Sequence, residues 1–131
     1  MTQIRRGADV YRRTEAVSRS PLELVVMLYD GALRFLTEAR EGADRGDRLA
    51  RRRGVSKALA IVGELQSTLN LDKGGQVAEQ LDTVYIYITG RLLDSTVKRD
   101  DAAIDEARRL LSTLRDGWAQ IASQSALAGT P

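Results

Sequence analysis

No cysteine and no histidine occurs among the 131 residues. That removes thiol nucleophiles, thiolate and imidazole metal ligands, and the commonest general base. No disulfide framework can form, which is compatible with a reducing compartment. The side chains left for proton or metal chemistry are carboxylates: Glu38 with Glu41, Asp100 with Asp101, and Asp105 with Glu106. None sits in an apolar run that would raise its pKa. A di-metal site in a helical bundle needs Glu-x-x-His motifs, which a chain without histidine cannot supply. These pairs read as solvated helix faces. Gly74-Gly75 lacks the Gly-x-x-x-x-Gly-Lys-Ser/Thr frame of a phosphate loop and reads as a helix stop. No residue is placed as a nucleophile or base with an orienting partner, so an enzyme is not expected, and neither is a cofactor or metal.

Charge leads to a second exclusion. Twenty Lys and Arg against eighteen Asp and Glu give a net charge of only +2. The basic excess is local: Arg5, Arg6, Arg12, Arg13 and Arg19 near the start, then Arg48, Arg51, Arg52 and Arg53. This is not the basic coat of a dedicated nucleic-acid binder, and no aromatic for base stacking lies beside the second cluster. No apolar run follows Arg5-Arg6, so no signal peptide is expected. No stretch approaches the roughly 18 to 20 apolar residues of a membrane span, so no membrane insertion is expected.

The residues that could do binding chemistry are apolar. Ser20-Pro21-Leu22-Glu23 is a capping box with proline at the first helical position, worth about 1 kcal/mol. The helix it opens carries Leu22, Val25, Val26, Tyr29, Leu33 and Leu36 on one broad face. Leu24, Met27, Leu28, Gly31 and Phe35 lie round the side. One apolar stripe suffices to bury a helix in a small domain, and a second asks for a second partner. A well-buried central helix satisfies this pattern, and so does a groove that receives an amphipathic helix of another protein. Gly31 and Ala32 would let a partner backbone approach.

The elements that must position these residues follow from period and breakers. Residues 1–19 are polar and Arg-rich and read as an arm, with Tyr11 its lone aromatic and a short turn around Ala8–Arg13. Helix one runs from Pro21 to about Gly42. Helix two runs from about Arg48 to Leu71, with Val55, Ala58, Leu59, Val62, Leu65, Gln66 and Leu69 at helical spacing. Helix three runs from about Gln76 to Lys98 with Val77, Leu81, Val84, Tyr85, Ile88 and Leu92 on its buried face, while Ile86 and Tyr87 point away. Val84–Thr89 alone could pass for a strand, but the flanks continue the 3.6 period. Helix four runs from Asp101, capped by Asp100 or Asp101, to about Ser123, with Ile104, Ala107, Leu111, Leu114, Trp118 and Ile121 as its stripe. Residues 124–131 read as a tail. Four helices of about 33 Å joined by short connections predict an all-α, antiparallel, up-and-down four-helix bundle with an N-terminal arm, as one domain over 1–131.

Five stretches, in order, resemble the FliS family of flagellar secretion chaperones. The first is Ser20-Pro21-x-x-Leu24-Val25-x-Met27-Leu28-Tyr29-Asp30-Gly31-Ala32-x-x-Phe35-Leu36. The second and third are Leu65-x-x-x-Leu69-Asn70 and Gly74-Gly75-x-x-Ala78-x-x-Leu81. Tyr85-x-Tyr87-Ile88-x-x-Arg91-Leu92 and Leu110-Leu111-x-x-Leu114-Arg115-x-x-Trp118 complete the set. Tyr11 sits where the family has an N-terminal tyrosine. Two departures are Ser18-Arg19 in place of the Thr-Ala that often precedes Ser-Pro, and Gly90 inside helix three, which costs about 1 kcal/mol against alanine.

The resemblance implies a cytoplasmic chaperone that binds the C-terminal segment of flagellin in apolar interhelical grooves. It would keep flagellin from polymerising early and present it, loaded, to the flagellar export gate. The groove residues expected on this basis are Leu24, Leu28, Tyr29, Phe35, Tyr85 and Tyr87, with Tyr11 in a covering arm. Two alternatives stay open: a structural bundle forming a weak homodimer through the same surplus face, and a small basic regulatory binding protein acting through Arg48–Arg53.

Overall fold

The computed structural model describes residues 20–128. The arm, its turn around Ala8–Arg13 and Tyr11 lie outside the described residues. Four α-helices follow in order: α1, Pro21–Asp44; α2, Arg48–Ser67; α3, Gly75–Val97; and α4, Asp101–Ala128. No strand occurs among the described residues, and the all-α bundle expected from the periodicity is the observed fold. Sequential helices are neighbours, and α4 returns to pack on α1, which closes a four-membered ring. The α1/α2 seam is the most extensive of the four.

Each helix boundary has a local cause. The Ser20 hydroxyl accepts the Glu23 N–H at 3.1 Å, so the capping box holds at its serine end. At the other end of α1, the Gly46 N–H bonds to the Ala43 carbonyl and the Asp47 N–H to the Gly42 carbonyl. This is a Schellman closure with Gly46 in its left-handed seat, at φ +74°. Asp47 then caps α2 by accepting the Ala50 N–H at 3.0 Å. That hydrogen bond, more than nearby Arg45, holds the Asp47 carboxyl below its usual pKa.

α2 stops at Ser67, short of the expected Leu71. The Ser67 hydroxyl bonds the Glu64 carbonyl and the Thr68 hydroxyl bonds the Leu65 carbonyl. Such side-chain bonds compete with the helical ladder. Asn70 then turns the chain by accepting the Lys73 N–H. Gly74 and Gly75 therefore do not end α2, as their sequence suggested. Gly74 is the N-cap of α3 and Gly75 its first residue, at φ +59°. A Cβ on Gly74 would lie 2.6 Å from the Asn70 carbonyl oxygen, so the turn has no room for one. Asp100 caps α4 through the Ala102 N–H, and α4 continues past Ser123 to Ala128.

The core runs the length of the ring: Tyr29, Ala32, Leu36 and Ala39 from α1, Val55, Ala58, Val62 and Leu65 from α2, Tyr85, Ile88 and Leu92 from α3, and Ile104, Ala107 and Leu111 from α4. Val77 and Ile121, expected on core stripes, are exposed near helix ends; Ala78 and Ala122 are buried instead. Small residues draw α1 and α2 together. A Cβ on Gly54 would sit 2.4 Å from the Phe35 carbonyl oxygen. Ala32 is fully buried, and a Cβ on Gly31 would meet Ile61 of α2 at 3.3 Å. Gly31 thus admits α2 rather than an outside partner, and Ala32 lies in the core.

Candidate functional site

Tyr29 and Tyr85 were expected in a binding groove; the structure puts both in the core. Their hydroxyls hydrogen-bond each other across the bundle, and Trp118 Nε1–H donates to the Tyr29 oxygen at 3.3 Å. One oxygen thus ties α1, α3 and α4. Burial is the main reason both phenols titrate above their ordinary value. A helix that buries a tyrosine must give its hydroxyl a partner, and each supplies the other's.

Leu24, Leu28 and Phe35 lie where α1 turns toward α2. Leu24 and neighbouring Met27 are exposed, while Leu28 and Phe35 pack partly on the core. Two cations of the chain sit by the Phe35 ring: Arg34 at 5.2 Å and Lys57 at 5.8 Å from its centre.

Tyr87 is 48% exposed and marks the α3/α4 edge. Its O–H donates to the Glu106 carboxylate, with oxygen separations of 2.9 and 3.0 Å, and Arg91 Nε–H donates to the same carboxylate at 2.6 Å. The Arg91 bond first, and then the Tyr87 bond, hold the Glu106 carboxyl below its ordinary pKa. The same carboxylate raises the Tyr87 phenol. An apolar ring face stays at the surface while its polar tip is fixed.

Among the described residues α3 carries the most exposed large apolar side chains, and they are only partly what the sequence led to expect. Ile86 is 57%, Leu93 50% and Val97 79% exposed. With Gly90 they form one line at spacings of four, three and four, the repeat of a helix-packing seam. A Cβ at Gly90 would meet nothing within 4 Å, so the middle of the line is open. Ile86 and Gly90 were singled out by sequence; Leu93 and Val97 were not. Their spacing was the available signal, hidden because Leu92 beside Leu93 serves the core.

A polar cleft lies at one end of the bundle, where the α1/α2 and α3/α4 turns meet, lined among others by Arg48, Arg51, Arg52, Thr96, Arg99 and Asp101. Among the described residues no group of three or more carboxylates could hold a metal ion, and no helix is long and apolar enough to cross a membrane.

A closed core with an apolar line left over describes a binding protein, and comparison with known proteins gives the family. The family described as flagellar protein FliS matches residues 4–125. This chain belongs to the FliS family. The flagellar secretion chaperone FliS of Salmonella typhimurium is similar at 36% identity over 123 residues, covering 93% of this chain and 91% of that protein. FliSB of Pseudomonas aeruginosa, also a flagellar secretion chaperone, is 28% identical over 90% of this chain and 94% of its own. FliS of Bacillus subtilis is 28% identical over 84% of this chain and 81% of its own. FliS proteins are chaperones, not enzymes.

Proposed function

We propose that this chain is a cytoplasmic export chaperone for flagellin. It binds the C-terminal segment of flagellin on apolar interhelical surfaces, holds it back from polymerising, and delivers it to the flagellar export gate. The observation that carries the proposal is the line Ile86–Gly90–Leu93–Val97 on a bundle whose core is already complete. Such a line has no work to do inside the fold. It matches the way an amphipathic helix is received, through anchors at helical spacing. Leu24, Leu28 and Phe35 on α1, and Tyr87 beside the α3 line, extend the candidate surface. Tyr29 and Tyr85 act beneath it by holding α1, α3 and α4 in place.

The test is titration of the full chain with the C-terminal segment of flagellin from the same organism. Binding in the micromolar range or tighter is expected. The double variant Ile86→Asp, Leu93→Asp should keep its melting temperature and lose at least tenfold in affinity, since each side chain contributes on the order of 1 kcal/mol or more when buried. Failure of the wild-type chain to bind, or a dimer that ignores flagellin, would refute the proposal.

A further inference from the structure

The α3 surface continues into the arginine cleft. On α3, Asp82, Ile86, Thr89, Leu93 and Thr96 follow one line at spacings of four, three, four and three. On α2, Gln66, Gly63, Leu59, Ser56 and Arg52 follow the matching line in the reverse direction. Gln66 donates to Asp82 at 2.8 Å and ties the two lines at one end. Arg52 and Thr96 both line the cleft at the other. Between these ends lies a groove of about 21 Å, four turns of helix. A Cβ on Gly63 would meet nothing within 4 Å, so the α2 wall is open.

The cleft itself has a volume of about 370 Å³. Its charges are unequally satisfied. Arg51 donates to Asp101 at 2.9 Å and to the Ser95 carbonyl at 2.6 Å, so it and Asp101 are used by the fold. Asp47 caps α2. Arg48, Arg52 and Arg99 have no carboxylate within ion-pair distance among the described residues. Arg99 also holds a left-handed backbone at φ +53°. It follows the end of α3 as Gly46 follows the end of α1, and glycine takes that seat without strain. What arginine adds there is a guanidinium at the cleft.

We propose that this cleft captures the free C-terminal carboxylate of the segment seated in the α2/α3 groove, and so fixes the direction in which that segment lies. The inference rests on the function proposed above and adds the polarity. A docked helix carries its negative end at its C-terminus, and the terminal carboxylate adds a full charge. The starts of α2 and α4 and the last turns of α1 and α3 all reach the cleft, so their dipoles offset one another and Arg48, Arg52 and Arg99 set its sign. The opposite orientation would bring the positive end of the docked helix against three arginines. A groove with Leu59, Ile86 and Leu93 along its middle and arginines only at one end suits a chain terminus rather than a polyanion, which needs a basic track along its length.

The experiment compares two synthetic flagellin C-terminal segments of identical sequence, one with a free carboxylate and one amidated, binding to the full chain. The amide is expected to bind roughly tenfold more weakly, the scale of a charge-assisted contact discounted for an open cleft. In Arg52→Ala and Arg99→Gly the ratio of the two affinities should fall toward one. Arg53→Ala, outside the cleft lining, should leave the ratio intact. Arg99→Gly should melt no lower than wild type, which separates loss of the carboxylate contact from loss of fold. Equal binding of both segments to wild type would overturn the carboxylate assignment and leave the chaperone proposal standing. A difference that persists in Arg52→Ala and Arg99→Gly would place the carboxylate elsewhere and also overturn it. Binding of neither segment would remove both.

Discussion

The hydroxyl of Tyr29 is a buried polar atom at which three helices meet, and its removal should not resemble removal of its neighbour. In Tyr85→Phe, Tyr29 keeps Trp118 as a partner. The loss is a single buried hydrogen bond, about 1 kcal/mol. In Tyr29→Phe, the Tyr85 hydroxyl is stranded in the core at 2% residue exposure, and the Trp118 N–H loses its acceptor. An unsatisfied buried hydroxyl costs about 1–3 kcal/mol. Trp118 is only partly buried and can turn to water, so the total comes to about 2–3 kcal/mol. The double variant removes both hydroxyls and leaves no stranded phenol. It should be less destabilised than the sum of the singles by about 1–2 kcal/mol, since residues in contact are not additive. Urea unfolding can follow this by the fluorescence of Trp118, the only tryptophan of the chain, with far-ultraviolet circular dichroism as the second probe. Equal costs for the two single variants, or additivity in the double, would refute the assignment of Tyr29 as the shared acceptor. Loss of flagellin affinity at unchanged stability would return both tyrosines to the binding surface.

Gly54→Ala should destabilise the fold by at least about 3 kcal/mol, the upper part of the usual overpacking range, because the new methyl meets the Phe35 carbonyl at 2.4 Å and backbone cannot rotate aside. Gly63→Ala on the same helix meets nothing and should be neutral or stabilising by up to about 1 kcal/mol, so equal melting temperatures would refute the packing argument. Glu106 has a folded pKa depressed below the ordinary 4.5, chiefly by Arg91. Its contribution is therefore complete above that pH and is lost as pH falls through the depressed folded value. Glu106→Gln should flatten that part of the acid limb of the stability profile; an unchanged limb would show that the Arg91–Glu106 bond does not form in solution.

The fold was legible because its signals are local and agree with one another. Ser20-Pro21-x-Glu23 and Asp100-Asp101 name two helix starts, and the spacings of Val55–Leu65 and Ile104–Leu111 name two faces. The end of α2 was not legible from Gly74-Gly75. Its cause is the pair of hydroxyls at Ser67 and Thr68, whose choice between solvent and backbone is settled only once the helix exists. Helical spacing put Tyr85 on a buried face, where it lies; the groove role for Tyr29 and Tyr85 came from the resemblance alone. A tyrosine at helical spacing suits a wet groove or a dry core equally, and what decides is a partner for the hydroxyl 56 positions away. Gly31-Ala32 suggested a close approach and one occurs, but to α2. Sequence shows that a backbone will come near, not whose.

Burial of Tyr29 and Tyr85 leaves Leu24, Leu28 and Phe35 on α1 in the candidate surface and adds the outside of α3, and magnitudes then constrain how flagellin would bind on the proposed function. Full burial of a Leu, Ile or Val side chain contributes about 1.5–3 kcal/mol. Ile86 and Leu93 are already about half covered, while Val97 is largely exposed, so the three together contribute about 3–5 kcal/mol on docking. Ordering a disordered segment costs about 2–5 kcal/mol before the loss of free translation and rotation is counted. The α3 line alone therefore leaves little or no net affinity. A micromolar complex needs about 8 kcal/mol beyond those costs. A second surface must contribute, and the exposed apolar side chains Leu24 and Met27 on α1 supply one that α3 does not reach. On this accounting a short helix in one groove is not enough. On the proposed function the bound segment would have to be long enough to cross from one face of the bundle to another, with the arginine cleft proposed as the point where it ends.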